Sequence, residues 1–591
     1  MTYGAPLAEI GFTLKYGAGV SGAIEEGLFG DLSLDDVDAV LAEAGRMAAE
    51  VIAPLNRVGD INGVSFKGGA VVTAPGWKEG YKAWRTGGWN GVAAPQAWGG
   101  QALPQIINAA CTEMWNSAAV AFAVGPTLTV AAIDALAAHG SEALKQAYLE
   151  KLVSGEWMGT MQLTEPQAGS EVGALRTRAE RAGDGTYRLK GQKIFITYGE
   201  HDLTDNIVHL VLARLPDAPP GTRGISLFLV PKFLLKDDGT LGARNDIRAH
   251  SVEHKLGIHG SPTCTMILGD NGGAIGFLIG EENAGMACMF TMMNRARLHV
   301  GLQGVGTAEC ATQMAMAYAR ERKQGRTAGM KSGEMAPIIA HPDVRRMLLT
   351  MRALTQAARA ICYTTAMAID RAERSADQAA REKWQHQASL LTPLAKAFST
   401  DIANEVTSLG VQVHGGMGYV EETGAAQLFR DARIAAIYEG TNGIQAIDLV
   451  TRKLPLADGA IVAAHIDQLR GVIQSLSASN DPAFGWSAVR LGDAVESLSR
   501  TTNWLLGRLD KEPDAALAGA TPYLRLFGFA TGGCLLAQEA LAALRLGTDA
   551  AARLAVTRFF AENFAVQAGA LERMVVEGAP GVLGADAALA S

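Results

Sequence analysis

The sequence predicts an α+β protein, mainly α: an N-terminal helical domain, a middle β-domain, a helical bundle and an additional C-terminal helical domain. Three observations predict it. The chain has 591 residues, more than one hydrophobic core supports. Apolar residues recur at helical spacing before about residue 158 and after about residue 284. Between those limits, short alternating or β-branched runs are broken by turn signals. The expected boundaries are 1–158, 159–283, 284–455 and 456–591.

Asp35 or Asp36 is the expected cap of a helix through residues 37–57. Residues 73–101, rich in Gly, Pro and Trp, read as loops, and helices follow at 104–117 and 141–153. The alanine-rich stretch 118–138 suits a buried helix, since Asp134 interrupts it and no window reaches the roughly 18 uninterrupted apolar residues of a membrane span. In the middle region, 174–182 and 186–197 read as a hairpin across Asp184-Gly185. Further strands are expected at 207–215, 224–231, 254–260 and 263–269. Helices are expected again at 287–323, 342–373, 380–409, 424–431 and 443–453. After the linker 453–459, four more are expected at 462–477, 485–508, 519–545 and 548–575.

The net charge of −8 and pI near 5.8 speak against nucleic acid as the main partner, because phosphate neutralisation needs a basic face. Six scattered cysteines without a C-x-x-C pair, and a start lacking a basic then apolar leader pattern, read as a cytoplasmic protein with reduced thiols. His250, Glu253, His254 and His259 form the one metal-like cluster, but no H-E-x-x-H is present and no metal is expected.

Five runs carry chemistry. Met161 to Ser170 includes Leu163, Thr164, Gly169 and Ser170, so it offers hydroxyls and close backbone approach. Lys193 to Gly199 puts Phe195 and Thr197 two apart, on one strand face suited to a planar ring. Arg322 and Gln324 end a helix, where a guanidinium can grip a pyrophosphate. Gln412, Gly415 and Gly416 lie in a glycine-rich stretch that a ligand can approach. Finally, Tyr438-Glu439-Gly440-Thr441 follows Ala435-Ala436-Ile437, whose apolar surroundings raise a carboxyl pKa toward that of a useful base.

In this order and spacing the five runs resemble the acyl-CoA dehydrogenase family, over roughly residues 35–455. The resemblance implies an enzyme that uses FAD to oxidise the Cα–Cβ bond of an acyl-CoA thioester to the trans-2-enoyl-CoA, with Glu439 as catalytic base. It implies that Met161, Leu163, Thr164, Gly169, Ser170, Phe195, Thr197 and Thr441 contact FAD. Arg322, Gln324, Gln412, Gly415 and Gly416 would reach the FAD of a neighbouring subunit, which implies a homo-oligomer, with a dimer favoured and a tetramer possible. Ser170, Asn294, Arg297 and Gly440 would contact substrate, and an electron-transfer flavoprotein would accept the electrons.

Departures from the family pattern are Gly325 in place of Phe, Gly443 in place of Gln, Phe195 in place of Trp or Tyr, and His259 in place of Arg. The extra residues after 455 resemble those of a bacterial subgroup. It includes 3-methylmercaptopropionyl-CoA dehydrogenases of dimethylsulfoniopropionate degradation and dehydrogenases of medium- and long-chain fatty acid metabolism. This resemblance implies 3-methylthiopropanoyl-CoA as substrate and 3-methylthioacryloyl-CoA as product. The alternatives are a fatty acyl-CoA dehydrogenase of β-oxidation, an acyl-CoA oxidase and a non-enzymatic flavin-bearing DNA-damage-response protein. No strongly basic amphipathic helix follows residue 455, so no stable membrane insertion is expected.

Overall fold

The computed structural model describes residues 3–331 and 333–590, with backbone alone at 290–292. Met1, Thr2 and Ser591, at the ends of the expected outer domains, lie outside the described residues. Helices precede and follow one large sheet, as the residue periodicities predict.

The first long helix, Leu34–Arg46, is capped by Ser33 rather than by Asp35 or Asp36. Ser33 Oγ accepts from the Asp36 N–H at 3.1 Å, and Asp36 Oδ2 accepts from the Ser33 N–H at 3.0 Å. Asp36 is thus the reciprocal partner of a capping box. Residues 73–101, expected as loops, contain the helix Trp77–Thr86, whose buried face is Trp77, Tyr81 and Trp84. The segments 104–117 and 118–138 are one helix, α1 (Gln105–His139), kinked at Ala119. Both oxygens of Asp370 accept from its first free N–H groups, at Gln105 (2.7 Å) and Ile106 (2.8 Å). Among the described residues two helices, Gln105–His139 and Ala520–Leu546, are long and apolar enough to cross a membrane, yet 78% and 89% of their apolar windows are buried in the protein. They are core helices.

The sheet comprises β1 (Met158–Gln162), β2 (Arg178–Arg181), β3 (Tyr187–Thr197), β4 (Ile207–Arg214), β5 (Ile225–Pro231), β6 (Ile247–Val252), β7 (Thr263–Leu268) and β8 (Ala274–Ile279). Its order is β6-β7-β3-β8-β5-β4-β1, and β2 pairs with both β3 and β4. That double pairing closes β3, β8, β5, β4 and β2 into a small barrel, and β6 and β1 remain the ends of the strand order. Residues 254–260, expected as a strand, form a docking loop instead. Ile258 is in the left-handed region (φ 46), its N–H donates to Asp431, and a Cβ on Gly257 would strike the Arg430 carbonyl. His259 pairs with Asp60 at 3.0 Å, and Asp60 takes a bidentate grip from Arg430 at 2.9 and 2.8 Å. These contacts bind the β-domain to the helical body just before the Tyr438-Glu439 run.

The bundle is α2 (Gly285–Glu321), α3 (Pro342–Arg374) and α4 (Gln378–His414), followed by α5 (Ala425–Ala432) and α6 (Asn442–Asp448). Glycine lets α2 and α4 touch: Gly301 lies on Ala395, and Gly304 on Ser399. With Tyr318 ring-stacked on His414, these contacts make α2 and α4 parallel. The last region holds α7 (Ala460–Ser479), α8 (Ser487–Arg508), α9 (Ala520–Leu546), α10 (Ala550–Asn563) and α11 (Ala568–Glu577). The single helix expected at 548–575 is broken between Phe564 and Gln567. Gly528 and Gly532 of α9 abut Phe398 and Ala357, so this region joins the bundle core.

Candidate active site

Glu439 lies in the short turn between Tyr438 and α6. Its backbone is left-handed (φ 55), as is that of Gly440 (φ 84). For a non-glycine residue this is strained and persists only where the surroundings enforce it. A side chain at Gly440 would meet Gln445 Nε2, which here donates to the Gly440 carbonyl at 3.1 Å. The Tyr438 hydroxyl donates to Gln303 Oε1 on α2. Asn442, the first residue of α6, accepts from Lys396 Nζ at 2.8 Å and donates to Asp401 Oδ1 at 2.7 Å. Arg297 Nη1 donates to Asp448 Oδ2 at 3.1 Å, at the other end of α6. The turn is therefore clamped from α2 and α4 on both sides.

The Glu439 side chain keeps partial exposure but is surrounded by protein, and burial raises its pKa. The Arg297 and Lys396 charges oppose that rise. Lys396 is fully buried, and its burial lowers its own pKa to about 7. A carboxyl made more basic beside two cations, at a partly open position, suits proton abstraction from a weak carbon acid.

A second group forms on the β-domain. The Ile194 N–H donates to the Thr164 carbonyl at 2.9 Å, bringing the Met161–Ser170 run beside β3. Buried Lys193 seals that junction, donating to Glu165 at 2.8 Å and to the Leu163 carbonyl at 3.0 Å. Burial would raise the Glu165 pKa, but Lys193 and the N–H groups of Arg176 and Thr177 bring it to about 2. The strict alternation expected of β3 is broken. Ile196 pairs with Cys264 and Lys193 with Met266, so two residues face Thr265 in a bulge. In that bulge Phe195 is left-handed (φ 60) and 59% exposed. Thr197 stays half-buried, and its carbonyl accepts from Thr160 Oγ1 at 2.6 Å. Gly169 and Ser170 are exposed, with open space at Gly169. A strained, presented aromatic beside hydroxyls and open glycine backbone fits the face of an isoalloxazine ring.

The third group is elsewhere. Arg322 and Gln324 follow the end of α2, Gln412 lies in the last turn of α4, and Gly415 and Gly416 follow it; all are exposed, with open space at both glycines. The parallel ends bring these five together, but Arg297 is a helix length away. From Arg297 to Tyr318 the axis advances about 30 Å at the α-helical rise. One protomer thus does not gather all the candidate residues around Glu439. Asn294 is half-buried on α2, one turn before Arg297. Among the described residues no three His, Cys, Asp or Glu side chains form a metal site. Gln303, Lys396, Asn442 and Gln445 were not singled out by motif. Asn442 directly follows Thr441 of the last run, and Gln445 lies two residues past exposed Gly443.

Family models match along most of the chain: "Acyl-CoA dehydrogenase, N-terminal domain" at 35–156, "middle domain" at 160–270, "C-terminal domain" at 283–454, and "Acetyl-CoA dehydrogenase C-terminal like" at 463–586. A 3-methylmercaptopropionyl-CoA dehydrogenase of Ruegeria pomeroyi is 46% identical over 96% of this chain and 97% of its own. The fold is shared with Caenorhabditis elegans ACDH-11 in complex with C11-CoA (TM-score 0.79, 20% identity, 97% and 95% covered). It is shared also with a Bacillus anthracis acyl-CoA dehydrogenase complexed with FAD (TM-score 0.75, 21% identity, 94% and 91% covered).

Proposed function

The chain belongs to the acyl-CoA dehydrogenase family, and on that premise we propose that it oxidises 3-methylthiopropanoyl-CoA to 3-methylthioacryloyl-CoA with Glu439 as base. It is an FAD-dependent oxidoreductase acting on acyl-CoA thioesters. The observation that carries the site assignment is the strained, clamped turn that presents Glu439 between Arg297 and Lys396. The substrate assignment rests on the name of the 46% identical relative, which spans the extra C-terminal region as well.

In this reading the thioester carbonyl accepts hydrogen bonds that acidify the α-carbon, one of them from the Glu439 N–H. The Glu439 carboxylate takes the α-proton. FAD, when bound, supplies the two-electron oxidant that receives the β-hydride. Met161, Leu163, Thr164, Ser170, Phe195, Thr197 and Thr441 would hold the flavin half. Arg322, Gln324, Gln412, Gly415 and Gly416 would serve the FAD of a partner subunit. Their separation of about 30 Å from Arg297 supports a homo-oligomer, a dimer in its simplest form. Arg297 positions α6 through Asp448, while Ser170 and Asn294 remain substrate contacts of this proposal. Electrons would leave through an electron-transfer flavoprotein, and six unpaired buried cysteines suit the cytoplasm.

The test is anaerobic flavin bleaching with 3-methylthiopropanoyl-, butanoyl-, octanoyl- and palmitoyl-CoA. Fast bleaching by the thioether substrate with palmitoyl-CoA inert supports the assignment. A preference for longer chains moves the enzyme to fatty acid β-oxidation. Glu439→Gln should bind FAD normally and lose turnover by about three orders of magnitude or more, the upper range of a general base. Normal turnover in that variant would refute the role of Glu439.

A further inference from the structure

We propose that Arg525, in the extra C-terminal region, is a positioning residue for the catalytic turn: acting on Glu405 and Asp401, it holds the Asn442 amide that starts α6. This rests on the dehydrogenase reading above, with Glu439 as base. Asn442 lies three residues after Glu439. Its Oδ1 accepts from Lys396 Nζ at 2.8 Å, and its Nδ2 donates to Asp401 Oδ1 at 2.7 Å and to the Ala397 carbonyl at 3.2 Å. Turned over, the amide would set its NH2 against the Lys396 ammonium and its oxygen against a carboxylate and a carbonyl. The side chain therefore has one orientation. The bond to Asp401 is the one that depends on an ionised acceptor, and such bonds are the strong ones.

Asp401 does not stay ionised without help. Burial raises its pKa and the nearby Glu405 carboxylate adds to the rise; Asn442, Arg525 and Lys396 oppose it. Arg525 comes from α9, Glu405 and Lys396 from α4 itself, and α6 brings the neutral Asn442. Glu405 stands one turn after Asp401, and like charges at that spacing repel.

Arg525 answers that repulsion from outside the bundle. Its guanidinium grips Glu405 in a two-pronged pair, Nη1 to Oε1 and Nη2 to Oε2, the latter at 3.1 Å. It lies 4.9 Å from the ring centroid of Phe529, one turn further along α9. Phe529 in turn meets Phe398 of α4 edge-on, with centroids 5.9 Å apart. The cation is thus held over its own helix and presented to two carboxylates of α4. α9 also packs against α6 directly. The charges that act on Glu439 itself are Arg297 and Lys396, so Arg525 reaches the base by way of Asp401 and Asn442. Without Arg525 the Asp401 pKa rises further, and Asp401 takes up its proton at a higher pH. Asn442 then donates to a neutral acceptor, and the start of α6 loosens beside the strained turn.

The test compares wild type, Arg525→Met, Arg525→Lys, Asp401→Asn and the Arg525→Met/Asp401→Asn double variant as holoenzymes. Arg525→Met should lower kcat about tenfold at the acid end of the pH profile with KM little changed, since a displaced base costs rate rather than ground-state binding. The loss should be recovered as pH rises and Asp401 ionises. Arg525→Lys, which keeps the charge, should restore the wild-type profile. Asp401→Asn should carry the loss at every pH, and adding Arg525→Met to it should cost nothing more. A wild-type profile in Arg525→Met, or a loss that persists when Asp401 is already Asn, overturns the proposal. Backbone amide exchange over residues 438–446 reads the positioning without turnover. Arg525→Met should exchange there about tenfold faster, the scale of one hydrogen bond to a charged group, and unchanged exchange with FAD fully bound overturns the proposal as well. A wild type that oxidises no acyl-CoA thioester counts against the dehydrogenase reading alone, because the exchange comparison still decides the role of Arg525.

Discussion

Lys396→Met should shift the acid limb of the pH–rate profile upward. Among the described residues the buried Lys396 ammonium donates one hydrogen bond, to the neutral amide Asn442 Oδ1 at 2.8 Å, and makes no direct carboxylate contact. Glu439 and Asp401 are the carboxylates that feel it, and Arg297 is the nearby like charge. Burial raises the Glu439 pKa while Arg297 and Lys396 lower it, so removing Lys396 leaves burial opposed by Arg297 alone. An opposite charge within a few ångströms is worth about 1–3 units to a carboxyl. Lys396 has itself been lowered to about 7 and is only partly charged near neutrality, so the lower end applies. The expected shift is about one pH unit, or about 1.4 kcal/mol. Methionine matches the aliphatic stem, and replacing a buried charge by an apolar side chain of similar size is tolerated. The assay is kcat/KM for the preferred thioester under anaerobic conditions from about pH 5 to about pH 9, where the limbs report the free enzyme. Because the two groups are coupled, the limbs belong to the pair rather than to either residue. Wild type should lose activity below its acid limb, as Glu439 protonates, and Lys396→Met should lose it from about one unit higher while recovering at alkaline pH. Lys396→Arg should keep the wild-type limb. An unmoved limb in Lys396→Met, with FAD stoichiometric, refutes the charge argument and leaves Lys396 only a structural clamp on Asn442.

Two further outcomes follow from the geometry. Phe195→Gly should relieve the left-handed backbone yet remove the presented ring, so the protein should be no less stable as apoenzyme but should hold FAD more weakly; unchanged FAD affinity by fluorescence titration would remove Phe195 from the cofactor site. Asp370→Ala strips both acceptors from the start of α1, and should lower unfolding stability by about 2 kcal/mol, read from denaturant midpoints at constant slope.

What the sequence made legible and what it hid divide along one physical line. Helix and strand periodicity is local, and so is the chemistry of Tyr438-Glu439-Gly440-Thr441 or of Met161 to Ser170. These could be read from neighbours in the chain. The devices that make such runs work are not local. Lys396 sits in an apolar helical stretch, Leu394-Ala395-Lys396-Ala397-Phe398, where its spacing marks a core face and nothing marks a charge aimed at a turn 43 residues later. The bulge at Phe195 arises from how β3 pairs with β7, so the simple alternation of the run concealed it. Residues 254–260 alternate like a strand, but Asp431 and Asp60 capture their backbone and His259 from other elements, and tertiary contact overrides the pattern. A motif therefore locates the reacting group. The charge that tunes it and the strain that presents its cofactor face come from residues whose meaning exists only in the packed molecule.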